Sequence, residues 1–270
     1  MIYFTASSLD GKSQANPRTM NGPVKFLATI CMAVIALTYV DSNAQSGTAK
    51  KKILVDVAHG QRFWHDPNDM PGKDPELIER VKYMAGELTK NADALHATVA
   101  YQKAKFTAAS LKDIDLLFLQ GAGGKFDESE ATAIREFVQK GGGLFVTMDE
   151  DYWGTLDQIN INDIVKPFGI EYKQNNPDHS SGGHANTGEI AKERWSIPAH
   201  GARIVEGGTP FCYLNADESN PVGVYKVIPS GGRIVAMGDG MVSLYMTKWE
   251  NVDNYQCLQF MGDVFAWLMK

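Results

Sequence analysis

Side chains able to do chemistry gather in a few short stretches of this chain. Ala58 to Asp66 holds His59, Gln61, Arg62, Trp64 and His65. Asp149-Glu150-Asp151 runs into Tyr152 and Trp153, Asp239 stands between Gly238 and Gly240, and Gln120 leads into Gly121-Ala122-Gly123-Gly124. A histidine near carboxylates suits general acid–base work, so His59, Asp149 and Glu150 are the candidate catalytic groups. Neutral donors and flat aromatic faces suit binding of a small polar molecule or glycan. On that ground His59, Gln61, Trp64, Gly121, Asp149, Trp153 and Asp239 are the candidate ligand contacts. His179 and His184 lie five residues apart beside Asp178 and are the candidate metal pair. Two histidines fall short of a zinc-ligand set, so no cofactor is expected and a metal is kept only as the alternative.

Each group also has a plainer reading. His59 and Gln61 can simply satisfy loop backbone, residues 149–151 can be a solvated turn, and Trp64, Trp153 and Trp195 can be core rather than sugar-stacking surfaces. Gly121–Gly124 has no Gly-Lys-Ser/Thr continuation and no GxGxxG spacing, so it reads as a turn that opens room above a sheet rather than a phosphate loop.

The elements that must hold these residues are legible from pattern. Ile53–Val57 is a short apolar β-branched run, the mark of a buried parallel strand. Asp74-Pro75 opens a helix to about Lys90, with Leu77, Val81, Met84 and Leu88 on one face. A strand is expected at Ala97–Tyr101. Asp115–Gln120, the glycine turn, a helix capped by Asp127 and Glu130, the stop at Gly141–Gly143 and the strand Leu144–Met148 form a βαβ crossover, so the sheet is at least partly parallel. Beyond it a helix is expected at Leu156–Val165, a strand at Ile170–Tyr172 and a long loop from Gln174 to Gly188. Strands follow at Cys212–Leu214, Val222–Val227 and Arg233–Met237, then a closing helix capped by Asn254. In open parallel sheets ligands bind beyond the carboxyl ends of the strands, and the chemical stretches above follow expected strands.

The 270 residues are 44% hydrophobic, with 26 Lys+Arg against 32 Asp+Glu. That is enough apolar material for a core and no cation excess for nucleic acid. Residues 20–44 read as a signal peptide: Lys25, the apolar run Phe26–Val40, then Ser42-Asn43-Ala44 before Gln45. The expectation is therefore export to the periplasm or medium after cleavage near Ala44, with no stable membrane span afterwards. Residues 1–19 are expected to be a mis-assigned upstream extension, and 45–270 a single α/β domain. Of the three cysteines, Cys212 and Cys257 remain after cleavage; in an oxidising compartment they can pair or stay as two buried thiols.

Asp115–Met148 resembles the class I glutamine amidotransferase-like, flavodoxin-type fold. Three pieces in order, Asp56–Gln61, Phe126–Gly143 and Arg233–Asp239 with Asp253-Asn254, look like the amidotransferase-like domains of unknown function related to gliding-motility and intraflagellar-transport proteins. The resemblance implies a three-layer α/β domain, a mostly parallel sheet with helices on both faces. In active amidotransferases a cysteine occupies the elbow after this strand; here the positions read Met148-Asp149-Glu150-Asp151, and no Gly-x-Ser-x-Gly replaces it. Glutaminase activity is rejected. Three functions remain: an exported non-catalytic module for a small polar ligand or glycan; a metal-assisted or general-base hydrolase or lyase; and a scaffold for an envelope protein partner.

Overall fold

The computed structural model describes residues 50–245 and 254–270, within a compact unit that spans Thr48–Lys270. The expected signal peptide and upstream extension lie outside the described residues, as does Asp253. In chain order the elements are β1 (Lys51–Asp56), α1 (Pro75–Ala94), β2 (Ala97–Gln102), β3 (Leu116–Leu119), α2 (Glu128–Gln139), β4 (Gly143–Thr147), α3 (Ile161–Val165), β5 (Glu171–Asn175), β6 (Gly183–Ala185), β7 (Trp195–Ile197), β8 (Arg203–Glu206), β9 (Thr209–Leu214), β10 (Gly223–Val227), β11 (Arg233–Met237) and α4 (Cys257–Leu268). No described helix is long and apolar enough to cross a membrane.

A nine-stranded sheet runs β2-β1-β3-β4-β11-β10-β9-β6-β7, and β5 pairs with β8 in a separate ribbon. From β2 to β11 neighbouring strands are parallel. That half has the 2-1-3-4-5 order of flavodoxin-like folds, in which the ligand rim lies at the carboxyl strand ends. The half from β10 to β7 is antiparallel.

Alternation along the strands builds two cores. Ile53, Val55, Phe118, Phe145 and Val235 face one side with α1 and α4, while Leu54, Leu117, Leu144, Val146 and Ile234 face the other with α2 and α3. Helices thus cover both faces, as a parallel sheet requires. Both crossover helices start on the expected caps. Asp74 accepts from the Leu77 amide with Pro75 in the first turn, and Asp127 and Glu130 complete a reciprocal capping box.

The departures have local causes. The expected helix at 156–165 shortens to α3, because Asn160 is held by its side chain on both the amide and the carbonyl of Phe126 (2.9 and 3.0 Å). Asn254 does not cap α4. The helix begins at Cys257, and Gln256 is instead tied to Ser196 of β7 through its backbone amide and its side chain (2.8 and 2.9 Å). The expected loop 174–188 contains β6, which β9 and β7 hold from either side. A Cβ at Gly183 would lie 2.9 Å from the Ala199 methyl and from the Tyr213 carbonyl, so the small residues that suggested a loop are what let the three strands close up. β7 and β8 were not expected at all.

Candidate functional site

Above the carboxyl ends of β3, β4 and β11 lies a cavity of about 300 Å³. Its floor follows from register. Thr147 pairs with Met237, and the Met148 amide extends the ladder to the Met237 carbonyl (3.0 Å), so Asp149 and Asp239 leave neighbouring strands at equivalent heights. Adjacent strands are roughly 4.8 Å apart. The two carboxylates are knit into the same turn: Asp149 accepts from the Gly240 amide, while Asp239 accepts from His200 and Met241 amides, each at 2.6 Å. Burial, opposed by the Gly240 amide and Arg203, pushes Asp149 up to about 6. Burial and the Asp149 charge together push Asp239 well above the carboxylate range. Two acids so placed lose their second proton with difficulty, and the proton belongs to the pair.

Arg203 holds this floor in place. It is 1% exposed, and its guanidinium donates to the carbonyls of Asp149 (3.0 Å), Lys173 (3.0 Å) and Gly154 (3.3 Å) and to the Asp151 carboxylate (2.7 Å). One buried cation therefore shapes the whole 149–154 turn. Its backbone amide also meets the Gly238 carbonyl (2.7 Å), and a Cβ at Gly238 would stand 1.8 Å from the Arg203 carbonyl, so only glycine fits between.

The opposite wall comes from the loop after β1 and from α1. Arg62 lies over the Trp153 ring at 4.0 Å and over Phe63 at 5.2 Å, and Arg80 lies 5.8 Å from Phe63. Gln120 and Gly121 at the end of β3 stand between the two walls. Tyr152 (79% exposed) and Trp153 (43%) meet edge to face at the mouth.

A second polar cluster lies at the end of β1. His59 Nδ1 is 2.9 Å from both Asp56 oxygens, and its Nε2 is 3.0 Å from Glu130 Oε1. Gln61 donates to Asp56 and accepts from the His59 amide, and Glu130 accepts from the amides of Phe106 and Asp127. The imidazole packs against both Phe106 and Phe126, which also stack on each other. Burial alone would lower the His59 pKa, but the carboxylates on both sides outweigh it and hold the ring above its ordinary value. All four polar side chains are buried, and each is matched. An open groove lined by Lys103, Lys105 and Lys125 passes over this cluster; Lys103 pairs with Asp66 and Asp69, and Lys105 with Asp127.

The structure thus brings together Gly121, Asp149, Trp153 and Asp239 around one cavity. It does not bring the others there. Trp64 is wholly buried against Phe118 in the α1-side core, so a ligand contact for it is corrected. His59 and Gln61 point into the Asp56–Glu130 network rather than the cavity. Glu150 turns to the rim, where it meets His179 at 3.0 Å. His184 is buried and bonded to Asn215 (2.8 Å), with Glu218 beyond, so the two histidines face different partners and do not form a metal pair. Among the described residues no cluster of three or more metal-ligating side chains occurs. Cys212 and Cys257 are separate, buried free thiols. His200, Arg80 and Arg203 belong to the site and were not expected. The one sequence signal was Arg203, a charge set in the apolar run Ala202–Val205.

Comparison with known proteins bears on the fold. Residues 81–179, less than half of the chain, match the family described as the IFT52 GIFT domain. The solved structure of the mmIFT52 N-terminal domain superposes with a TM-score of 0.58 at 18% identity, covering 81% of this chain and 97% of that one. Alpha-L-fucosidase isoenzyme 2 from Paenibacillus thiaminolyticus superposes at 0.50 and 10% identity, over 81% of this chain but 33% of the enzyme. No curated protein matches the sequence. Together with the 2-1-3-4-5 strand order, the superposition on the mmIFT52 N-terminal domain shows that this chain shares that domain's α/β fold.

Proposed function

We propose that the chain is an exported, non-catalytic module that binds a small polar ligand in the cavity above β3, β4 and β11. The observation that carries this reading is the Asp149–Asp239 pair, set in an aromatic-walled cavity whose described lining has no cysteine, serine, threonine or lysine. Such a pair is costly to the fold and gives hydroxyl groups both an acceptor and a shared proton. The Cys212 thiol is buried in β9 with its pKa pushed well up by desolvation, and so cannot serve as a nucleophile at the cavity. Export rests on the signal-like residues 20–44; protein recovered outside the cytoplasm should begin at Gln45, and a retained Phe26–Val40 segment would overturn that part.

A ligand present at 100 times its dissociation constant stabilises by about 2.7 kcal/mol, which is visible as a raised unfolding midpoint. The test is a panel of polar metabolites and glycans against the purified protein and against Asp149→Asn. A response lost in the variant supports the cavity; a response equal in both moves the site elsewhere. A second reading, general acid–base catalysis by Asp149, is favoured by its raised pKa and would show as product formation in the same panel. A protein-binding role draws instead on the partial IFT52 match and on the exposed Tyr152–Trp153 pair, and would leave the panel flat.

A further inference from the structure

We propose that the cavity selects a carboxylate-bearing monosaccharide, with its acid group at Arg62 and its hydroxyls at Asp149 and Asp239. This rests on the binding reading above and names the ligand class for that same cavity. The first observation is the layout of charge. Arg62 belongs to the loop after β1, while the acids follow β4 and β11, which stand two and three places along the sheet from β1. The Arg62 guanidinium reaches across to the Trp153 ring of the 149–154 turn, so one cationic group and two acids line the same cavity at separate points. A sugar acid carries its carboxylate and its hydroxyls on different carbons and can offer each to a different point.

The second observation is the state of Arg62. It is exposed, its flat face lies on Trp153 at 4.0 Å, and among the described residues it forms no ion pair. Stacking orients a guanidinium while leaving its in-plane N–H donors for a planar, bidentate anion such as a carboxylate. The third is size and lining. A cavity of about 300 Å³ is at the small end of ligand sites, suited to a single sugar ring. Phe63, Ile159 and Met241 supply apolar surface for its C–H face, and the Asp149–Asp239 pair meets its hydroxyls.

The experiment is thermal unfolding of the purified full chain with glucuronate, glucose or acetate at equal concentration and ionic strength, repeated on Arg62→Gln and Asp149→Asn. Glucuronate should raise the midpoint at a concentration about ten-fold lower than glucose needs, and acetate should do nothing. Arg62→Gln, at an exposed position, should bring glucuronate down to the glucose response, and Asp149→Asn should weaken both sugars. Equal responses to glucuronate and glucose, unaltered by Arg62→Gln, would overturn the acid-sugar assignment while leaving the binding reading intact. An acetate response matching glucuronate, or no response to any sugar, would overturn it as well. A glucuronate response unaltered in both variants would sink the cavity itself.

Discussion

Two acid clusters occupy the same rim of this sheet and are built on opposite principles. At the end of β1, Asp56 and Glu130 flank His59, and every polar atom described there finds a partner of opposite charge or a hydrogen bond. At the ends of β4 and β11, Asp149 and Asp239 face each other's charge, with backbone amides as their direct donors and Arg203 held on the far side of the turn. The first cluster joins β1 to the start of α2. The second stores unfavourable electrostatics where a cavity can use it. Histidine near carboxylate, the pairing that suggests catalysis in a sequence, is here the structural one, and the unmatched acids line the cavity.

The sharpest way to break this contrast is to remove one member of the matched cluster. His59→Ala or Glu130→Ala leaves a buried charge without its partner and should cost about 3–5 kcal/mol, read from denaturant unfolding. A loss under about 1 kcal/mol would mean that the cluster does not hold β1 to α2. Arg203→Ala should cost a similar amount and also abolish the ligand response, since the 149–154 turn loses three anchors and its tie to Lys173 of β5. If ligand response persisted in that variant, the turn would not need its buried cation.

Acidity separates the two clusters next. A group whose folded pKa lies above its unfolded value binds more protons when folded, so its stabilisation is lost as pH rises. For Asp149 that loss runs from about pH 4 to about 6. For His59 it lies higher, from about 6.5 upward. Asp149→Asn should remove the lower slope and raise stability above pH 6 by about 1–2 kcal/mol, a figure discounted for the partial exposure of this side chain. The Asn oxygen still accepts from the Gly240 amide. An unchanged difference between variant and parent from pH 4 to 7 would show that burial does not hold Asp149 above its ordinary value. The smallest effect belongs to the mouth: Tyr152→Ala should shift stability by less than about 0.5 kcal/mol. A larger loss would place Tyr152 in the packing rather than at the entrance.

Much of the parallel half was legible because its signals are local. The apolar runs of β1, β3, β4 and β11, the Asp74-Pro75 start and the Asp127–Glu130 capping box each depend on a few neighbouring residues. The antiparallel half was less so. β6, β7 and β8 are three or four residues long and are held by partners far along the chain, so no period marks them. The candidate site divides the same way. Asp149, Trp153 and Asp239 follow recognisable strands, and the rule for parallel sheets puts them at the rim. Trp64 also follows β1, eight residues beyond its end, yet turns into the core against Phe118.

The apolar strands of the parallel half, the Asp74 and Asp127 caps and the lack of a cysteine after the Leu144–Met148 strand were thus readable from residue type and spacing alone. That His59 would be sequestered by Asp56 and Glu130, that Arg203 would carry the 149–154 turn, and that Arg62 would lie across Trp153 were decided only when segments as far apart as 71, 54 and 91 residues met. Electrostatic partners act over a few ångströms regardless of sequence distance. Which acid is satisfied and which is left to a ligand is therefore a property of the folded molecule.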